Sequence, residues 1–217
     1  AYLGSLGEEE VLLRVQAVGL NFRDVLNVLG EYPGDPGPPG ADAAGVATKS
    51  DASTQHMFGL ADAPLASVSH SVELFLGPKP ASMSFEEACT LPVTWSTTHV
   101  AMERGCERSG DSSVIHAAAG GVGFKAVEYA QWLGASVVGT AGRPHKHAQL
   151  RTMTIGQMCS SRDASAFAVG TARLFDGHRL HCVLNSLSID FISTSFALLE
   201  DSGTLLEIGK RGVWSQE

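Results

Sequence analysis

Several protein classes are excluded by what this 217-residue sequence lacks. Its four cysteines, Cys89, Cys106, Cys159 and Cys182, are widely scattered and form no CxxC pair. Neither a structural zinc knot nor a disulfide framework is therefore indicated, and a reducing, intracellular (cytoplasmic) setting is expected. No apolar run approaches the ~18 residues of a transmembrane helix. The opening "AYLGSLGEEE" has no basic start and no apolar core, so neither a membrane partner nor a signal peptide is expected. Positive charge is short, with 15 Lys+Arg against 23 Asp+Glu and a formal net charge of −8. That balance disfavours nucleic acid as a partner. Internal repeats and low-complexity segments are missing too. What remains, 44% hydrophobic and 18% charged residues, is ordinary globular composition. A chain of this length buries roughly 70% of its unfolded surface, enough for a core without staples.

The first part reads as irregular β structure. In "VLLRVQAVGL" the residues Val11, Leu13, Val15 and Ala17 fall on one face of a strand. "NFRDVLNVLG" reads as a short helix, with Asn21 as cap, Asp24 at the capping-box position and Gly30 as the stop. "YPGDPGPPG" is a turn-rich loop, and "ADAAGVAT" and "LASVSHSVELFLG" suggest further short strands. From Asp111 the pattern changes to alternating strand and helix: "SSVIHAA", a helix striped by Val122, Ala126, Val127, Ala130 and Leu133, then "ASVVGTAG", "HKHAQLRTM", "GQMCSS", "AFAVGTARLF", "HCVLNSL", "DFISTSFALL" and "GTLLEIGK". Repeated βα units imply a parallel, doubly wound sheet.

Ligands of such sheets bind beyond the carboxyl ends of the strands. Those ends carry small or polar residues: Ala118–Gly123, Thr140 to Gly142, Ser160 and Ser161, Asn185 to Leu187, and Gly209 with Lys210. "HAAAGGVG" aligns with G-x-G-x-x-G when Ala118 takes the first slot, Gly120 the second and Gly123 the third. It follows a strand and opens an amphipathic helix, the context that a dinucleotide-binding turn requires. Ala119, Gly120, Gly121, Val122 and Gly123 are its candidate cofactor residues. The alternative is a packing turn without a ligand. No carboxylate stands at the end of the second strand to meet a ribose 2′-hydroxyl. Arg143 and Lys146 stand there instead, which suits a 2′-phosphate and hence NADPH; two solvated cations on a helix start are the alternative. Asn21 is either a helix cap or a substrate residue, and Tyr32 either a loop aromatic or a functional one. His116 reads as packed, His145 and His147 as solvated. Lys210, at a strand end just after Gly209, is either a functional residue facing the cofactor cleft or an ordinary surface lysine.

"GLNFRDVLNVLGEYPGDPGPPGADAAGVAT", "LPVTWSTTHVAM", "HAAAGGVG", "VLNSL" and "LLEIGKRG" together resemble the enoyl reductase domain of modular polyketide synthases, a member of the zinc-free medium-chain dehydrogenase/reductase superfamily near the quinone oxidoreductases. The resemblance implies an α/β protein: a partial GroES-like β lobe over residues 1–92, then a Rossmann doubly wound parallel sheet over 93–217, C-terminally truncated before a sixth strand. It implies NADPH-dependent reduction of an α,β-unsaturated thioester borne by an acyl carrier protein, other synthase domains as partners in cis, and no metal. By the same resemblance Lys210 and Tyr32 are catalytic, as candidate proton donors. Tyr32 and Asn21 face substrate. Thr97 lies near the nicotinamide, Lys146 holds the 2′-phosphate, and Thr140, Asn185, Ser186 and Gly209 complete the cofactor site. Two rival readings stand beside it: a free-standing zinc-free quinone oxidoreductase, and a catalytically inactive domain that keeps the nucleotide fold.

Overall fold

The computed structural model describes residues 10–48, 52–105, 108–187 and 190–209. They fall into two units, one running to Trp95 and the other starting at Ser96.

The first unit is built on one antiparallel sheet. Strand β1 (Glu10–Gly19) is followed by helix α1 (Phe22–Leu29), then β2 (Asp42–Thr48), β3 (Thr54–Leu60), β4 (Val68–Val72) and β5 (Leu76–Pro78). The spatial order is β4-β1-β2-β3-β5. Period-2 alternation places Val11 and Leu13 of β1 against Ala43, Ala47, Met57 and Leu76 in the core. A bulge between Val15 and Ala17 then breaks the alternation. Helix α1 ends on Gly30, whose φ of 68° is the left-handed conformation that glycine adopts without a Cβ penalty. A four-residue helix α2 (Phe85–Ala88) is capped by Ser84, with Glu87 returning to the Ser84 N–H.

This lobe is one five-stranded antiparallel sheet with a bulge in β1, where the sequence suggests irregular β structure. Strand β3 also escapes the sequence reading, because "TQHMFGL" opens on three exposed polar residues. Helix α3 (Pro92–Gly105) escapes it as well. Its buried positions Thr98, Ala101 and Met102 keep helical spacing, but one is polar and one is small, so no apolar stripe stands out.

The second unit alternates β6 (Ser112–Ile115), α4 (Gly121–Leu133), β7 (Ser136–Ala141), α5 (Pro144–Thr152), β8 (Met158–Ser160), α6 (Ala164–Phe175), β9 (Leu180–Asn185), α7 (Asp190–Leu198) and β10 (Leu199–Glu207). Every pairing is parallel and the order is β10-β9-β6-β7-β8, as expected for a doubly wound sheet. Successive residues of each central strand serve opposite layers. Ile115, Val137 and Leu184 join Met102, Val127 and Leu150 in one core. Val114, Val138 and Val183 join Phe167, Phe175 and Phe191 in the other. Burying each such side chain contributes roughly 1.5–3 kcal/mol. Among the described residues, no helix is long and apolar enough to cross a membrane.

Candidate functional site

The turn after β6 is anchored by its neighbour strand. The Ala117 N–H donates to Thr140 Oγ1 at 3.0 Å, and the Ala118 N–H to the Thr140 carbonyl at 3.0 Å. Thr140 is fully buried, so its side chain orders the turn from beneath. The residue that takes the unusual conformation is Ala117, with φ 47°, rather than the Ala118 that the glycine pattern places in the first slot. Ala118 is buried against Gly139 and must be small for a different reason. The third glycine sets the packing of the helix against the turn. A Cβ on Gly123 would lie 2.4 Å from the Ala117 carbonyl oxygen, so only glycine lets α4 pack this close to the turn. Gly120 caps α4, and the first amides of that helix lack intrahelical partners and carry its positive dipole end.

Beyond β7 and β8 lies a recess of about 70 Å³. Arg143 and Lys146 line it, as the sequence suggests, together with Ala119, Gly142 and Ser161. A third cation, Arg162, lines it too, its guanidinium stem against Gly142. Among the described residues, no carboxylate lines this recess. Asp163, the nearest in sequence, caps α6 by accepting from the Ala166 N–H at 2.9 Å. Arg162 follows directly on Ser160 and Ser161 at the third strand end, and that adjacency was the available signal for it. His147, expected to be solvated, is half-buried and lies 2.9 Å from the Ala141 carbonyl through Nε2. Its ring packs back on the end of β7 at the foot of α5.

The ends of β6, β9 and β10 are joined by a polar chain that is buried at His116 and Asn185 and half-buried at Glu207. His116 Nδ1 lies 2.5 Å from Asn185 Oδ1, and Asn185 Nδ2 donates to Glu207 Oε2 at 2.6 Å. The Leu187 N–H donates to Asn185 Oδ1 at 3.2 Å, and the Gly209 N–H to Glu207 Oε1 at 2.6 Å. The Ser186 hydroxyl donates to the His116 carbonyl at 3.3 Å. Asn185 has no exposed surface, so its side chain serves protein partners. The His116 ring sits edge-on between Phe167 and Phe191, and burial drives its pKa down to about 4. Glu207 also borders an open cleft of about 600 Å³, with Thr97 and Arg104 of α3 on another wall. Sequence reading singles out Asn185 and passes over Glu207. Lys210 lies outside the described residues.

In the first unit, Asn21 and Asp42 form the corresponding polar cluster. Asn21 Nδ2 donates to Asp42 Oδ2 at 2.8 Å, while Asp42 Oδ1 accepts from the Val93 N–H at 2.7 Å. Burial raises the Asp42 pKa. The hydrogen bonds from Asn21 and Val93 oppose that shift, and the Asp24 charge adds to it. Asp24 Oδ2 accepts from the Asn21 N–H at 2.8 Å, the expected half of a capping box. Its Oδ1 accepts from the Gly40 N–H at 2.8 Å. Arg23 donates to the Gly40 carbonyl at 2.7 Å and Asn27 to the Gly37 carbonyl at 3.1 Å. Helix α1 thus pins the proline-rich loop that carries the half-buried Tyr32. Among the described residues, no group of three or more His, Cys, Asp or Glu is placed to hold a metal.

No family model matches the chain. It is similar to the highly reducing polyketide synthase Dhc3 of Alternaria cinerariae, 36% identical over 220 residues, and to the erythronolide synthase EryA2 of Saccharopolyspora erythraea, 37% identical over 212. Those alignments cover 96% and 93% of this chain but only 9% and 6% of the synthases. Among solved structures it is similar to the CurK enoyl reductase, with a TM-score of 0.90 and 34% identity over 100% of this chain and 70% of that one. The quinone oxidoreductase from Thermus thermophilus, solved alone and in complex with NADPH, matches at a TM-score of 0.78 and 31% identity, over 94% and 68% of the two chains.

Proposed function

The chain belongs to the enoyl reductases of polyketide synthases, within the medium-chain dehydrogenase/reductase superfamily, and from that premise we propose that it reduces the carbon–carbon double bond of an α,β-unsaturated acyl thioester with NADPH. The observation that carries the cofactor choice is the recess lined by three cations and, among the described residues, by no carboxylate. A 2′-phosphate there meets Arg143, Lys146 and Arg162, each charge-assisted contact contributing ~1.5–3 kcal/mol. The amide end of α4, from Gly120 to Gly123 with Ala119 and Val122 beside it, suits a pyrophosphate. The close Gly123–Ala117 approach keeps that end of the helix against the sheet.

NADPH supplies a hydride to the β-carbon of the substrate. The protein's part is to hold both partners and to deliver a proton to the α-carbon. Lys210 is the main donor in this reading, and Tyr32 influences the face of protonation. Thr97, Ser186 and Gly209 border the nicotinamide half, with Asn185 behind them. Asn21, held by Asp42, contacts substrate. Residues 1–92 act as the substrate lobe and 93–217 as the nucleotide lobe. The substrate arrives on an acyl carrier protein, from synthase domains in cis.

The test is calorimetric titration with NADPH and NADH, followed by turnover of a crotonyl thioester and of a quinone. NADPH preference with thioester turnover is the expected result. Equal affinity for the two nucleotides would refute the cofactor choice. Turnover of the quinone alone would favour the quinone oxidoreductase reading, which the likeness to the Thermus thermophilus enzyme keeps in view.

A further inference from the structure

We propose that His116, Asn185 and Glu207 form a positioning triad that holds the chain leaving β9 and β10 in place for the nicotinamide half of the dinucleotide. The proposal rests on the reading that the chain binds NADPH. Its argument is one of hydrogen-bond polarity. Both oxygens of Glu207 accept, one from the Gly209 N–H at 2.6 Å and one from Asn185 Nδ2 at 2.6 Å. Asn185 must therefore turn its amino group toward β10 and its oxygen toward β6. The Leu187 N–H, which donates to that same oxygen, fixes the amide in this orientation independently. An oxygen facing His116 Nδ1 at 2.5 Å requires a proton on that nitrogen. The ring is then the Nδ1–H tautomer, and its Nε2, which has no hydrogen-bond partner among the described residues, is a bare lone pair among phenylalanines rather than a buried unpaired N–H.

One polarity thus runs across three strands, from His116 to Asn185 to Glu207. Each member also grips the chain that follows a strand end: the His116 carbonyl takes the Ser186 hydroxyl, Asn185 takes Leu187, and Glu207 takes Gly209. Ser186 and Gly209 are residues that the proposed site assigns to the cofactor. Glu207 sets Gly209 directly, and Asn185 holds Leu187 beside Ser186, so no triad side chain needs to touch the ligand to set where those two stand.

Swapping the polarity gives the test. Asn185→Asp sets a carboxylate against Glu207 with no proton between them. Asn185→Asp/Glu207→Gln restores the bond with the donor on the other side, and the glutamine oxygen still accepts from Gly209. Each protein is titrated by calorimetry with NADPH and with adenosine 2′,5′-bisphosphate, which lacks the nicotinamide half. The single variant should lose about tenfold or more in NADPH affinity, the worth of one charge-assisted hydrogen bond, and nothing for the bisphosphate. The double variant should recover most of the NADPH loss. If Asn185→Asp does not fold, Glu207→Gln alone must show the same selective loss. Equal weakening of both ligands, no weakening of either, or no recovery in the double variant overturns the triad. So does a ¹⁵N spectrum of the unaltered protein with the His116 proton on Nε2. An unaltered chain that binds neither ligand refutes the NADPH reading, and the triad's role falls with it.

Discussion

The carboxyl edge of the parallel sheet has two halves built on opposite principles. Beyond β6, β9 and β10 the polar groups bond chiefly to one another, with His116 and Asn185 buried and Glu207 at the rim of a cleft, and the ionisable ring among them is driven to neutrality by desolvation. Beyond β7 and β8 three cations line a recess that, among the described residues, holds no carboxylate. The first half has little to offer a charged ligand directly but holds its strand ends rigidly. The second is attractive to an anion, with the ends of β7 and β8 held by His147 at the Ala141 carbonyl and by the Ser160 hydroxyl oxygen, which accepts from the Arg162 and Asp163 N–H groups. A dinucleotide needs both, an inflexible seat at one end and a charge-selective one at the other. Each half therefore answers to a different perturbation: the dry half to protons and methyl groups, the wet half to salt and charge removal.

The largest effect expected is on acid stability, and it belongs to the dry half. His116 has its folded pKa lowered from 6.5 to about 4. In the unfolded chain the ring protonates as pH falls through 6.5, while the folded state keeps it neutral. The stabilisation is thus complete above pH 6.5 and is lost progressively down to pH 4, by about 3 kcal/mol at one pKa unit per ~1.4 kcal/mol. Urea unfolding from pH 7.5 to 4.5 checks this, with His116→Gln as the reference. Parallel pH profiles for the two proteins would show that the ring is solvated. Gly123→Ala comes next. Its Cβ would meet backbone atoms of Ala117 and Ala118, at 2.4 and 2.8 Å, which cannot swing aside. Overpacking of ~3 kcal/mol, less the ~1 kcal/mol that alanine gains in a helix, leaves a net loss of about 2 kcal/mol. Unchanged thermal stability would mean that the turn is looser than described.

In the wet half the expected effects fall on binding, not on folding. Lys146→Ala and Arg162→Ala should each weaken NADPH about tenfold, the low end for a charge-assisted contact at a partly exposed site, and leave NADH unaffected. Raising the ionic strength should shrink the difference, because exposed charges are screened within ~10 Å at 0.1 M salt. Calorimetry at two salt concentrations reads both effects. A loss shared equally by NADH would place these cations on the pyrophosphate instead.

The two halves are unequally legible in the sequence. Arg143 and Lys146 stand next to a strand end, so local pattern finds them. Arg162 stands next to another strand end, yet only the fold brings it to the same recess. The dry half depends on pairings between residues 69 positions apart, His116 with Asn185, and 22 apart, Asn185 with Glu207. No periodicity reports such pairings. Asn185 stands out for its place at a strand end, while Glu207 looks like an ordinary strand residue in "LLEIG". The antiparallel lobe shows the same divide. The Asn21–Asp24 capping box follows a three-residue spacing and is readable, whereas the Asn21–Asp42 bond spans 21 positions and is not. The four βα repeats and the fifth strand are legible because strands and helices alternate there, each in a short segment with its own apolar positions. Strand β3 and helix α3 are not, because polar and small residues stand where the period should show.

The smallest expected effect has the opposite sign and concerns strain in the dry half. Ala117 holds φ at 47°, and an L-residue in that region costs ~1–2 kcal/mol relative to its ordinary conformations. The surroundings enforce it: its N–H is held by Thr140 Oγ1 at 3.0 Å, and its carbonyl accepts from the Gly120 N–H at 2.7 Å. Ala117→Gly removes the Cβ and with it the strain. It also gives the unfolded chain more freedom, a cost of ~0.4–1 kcal/mol. The balance should be a gain of under ~1 kcal/mol, or a rise in Tm of about 2 °C for a chain of this size. NADPH affinity should stay within about twofold, because the hydrogen bonds that set the turn involve backbone atoms of residue 117 that glycine keeps. Differential scanning calorimetry with and without nucleotide measures both quantities. A fall in Tm would mean that residue 117 is not held in the left-handed region. A gain in stability with a large loss of affinity would mean that the methyl group of Ala117, which lines the recess, itself meets the ligand. In that case the turn would belong to both halves at once, and the division between a dry seat and a charged one would have to be redrawn at Ala117.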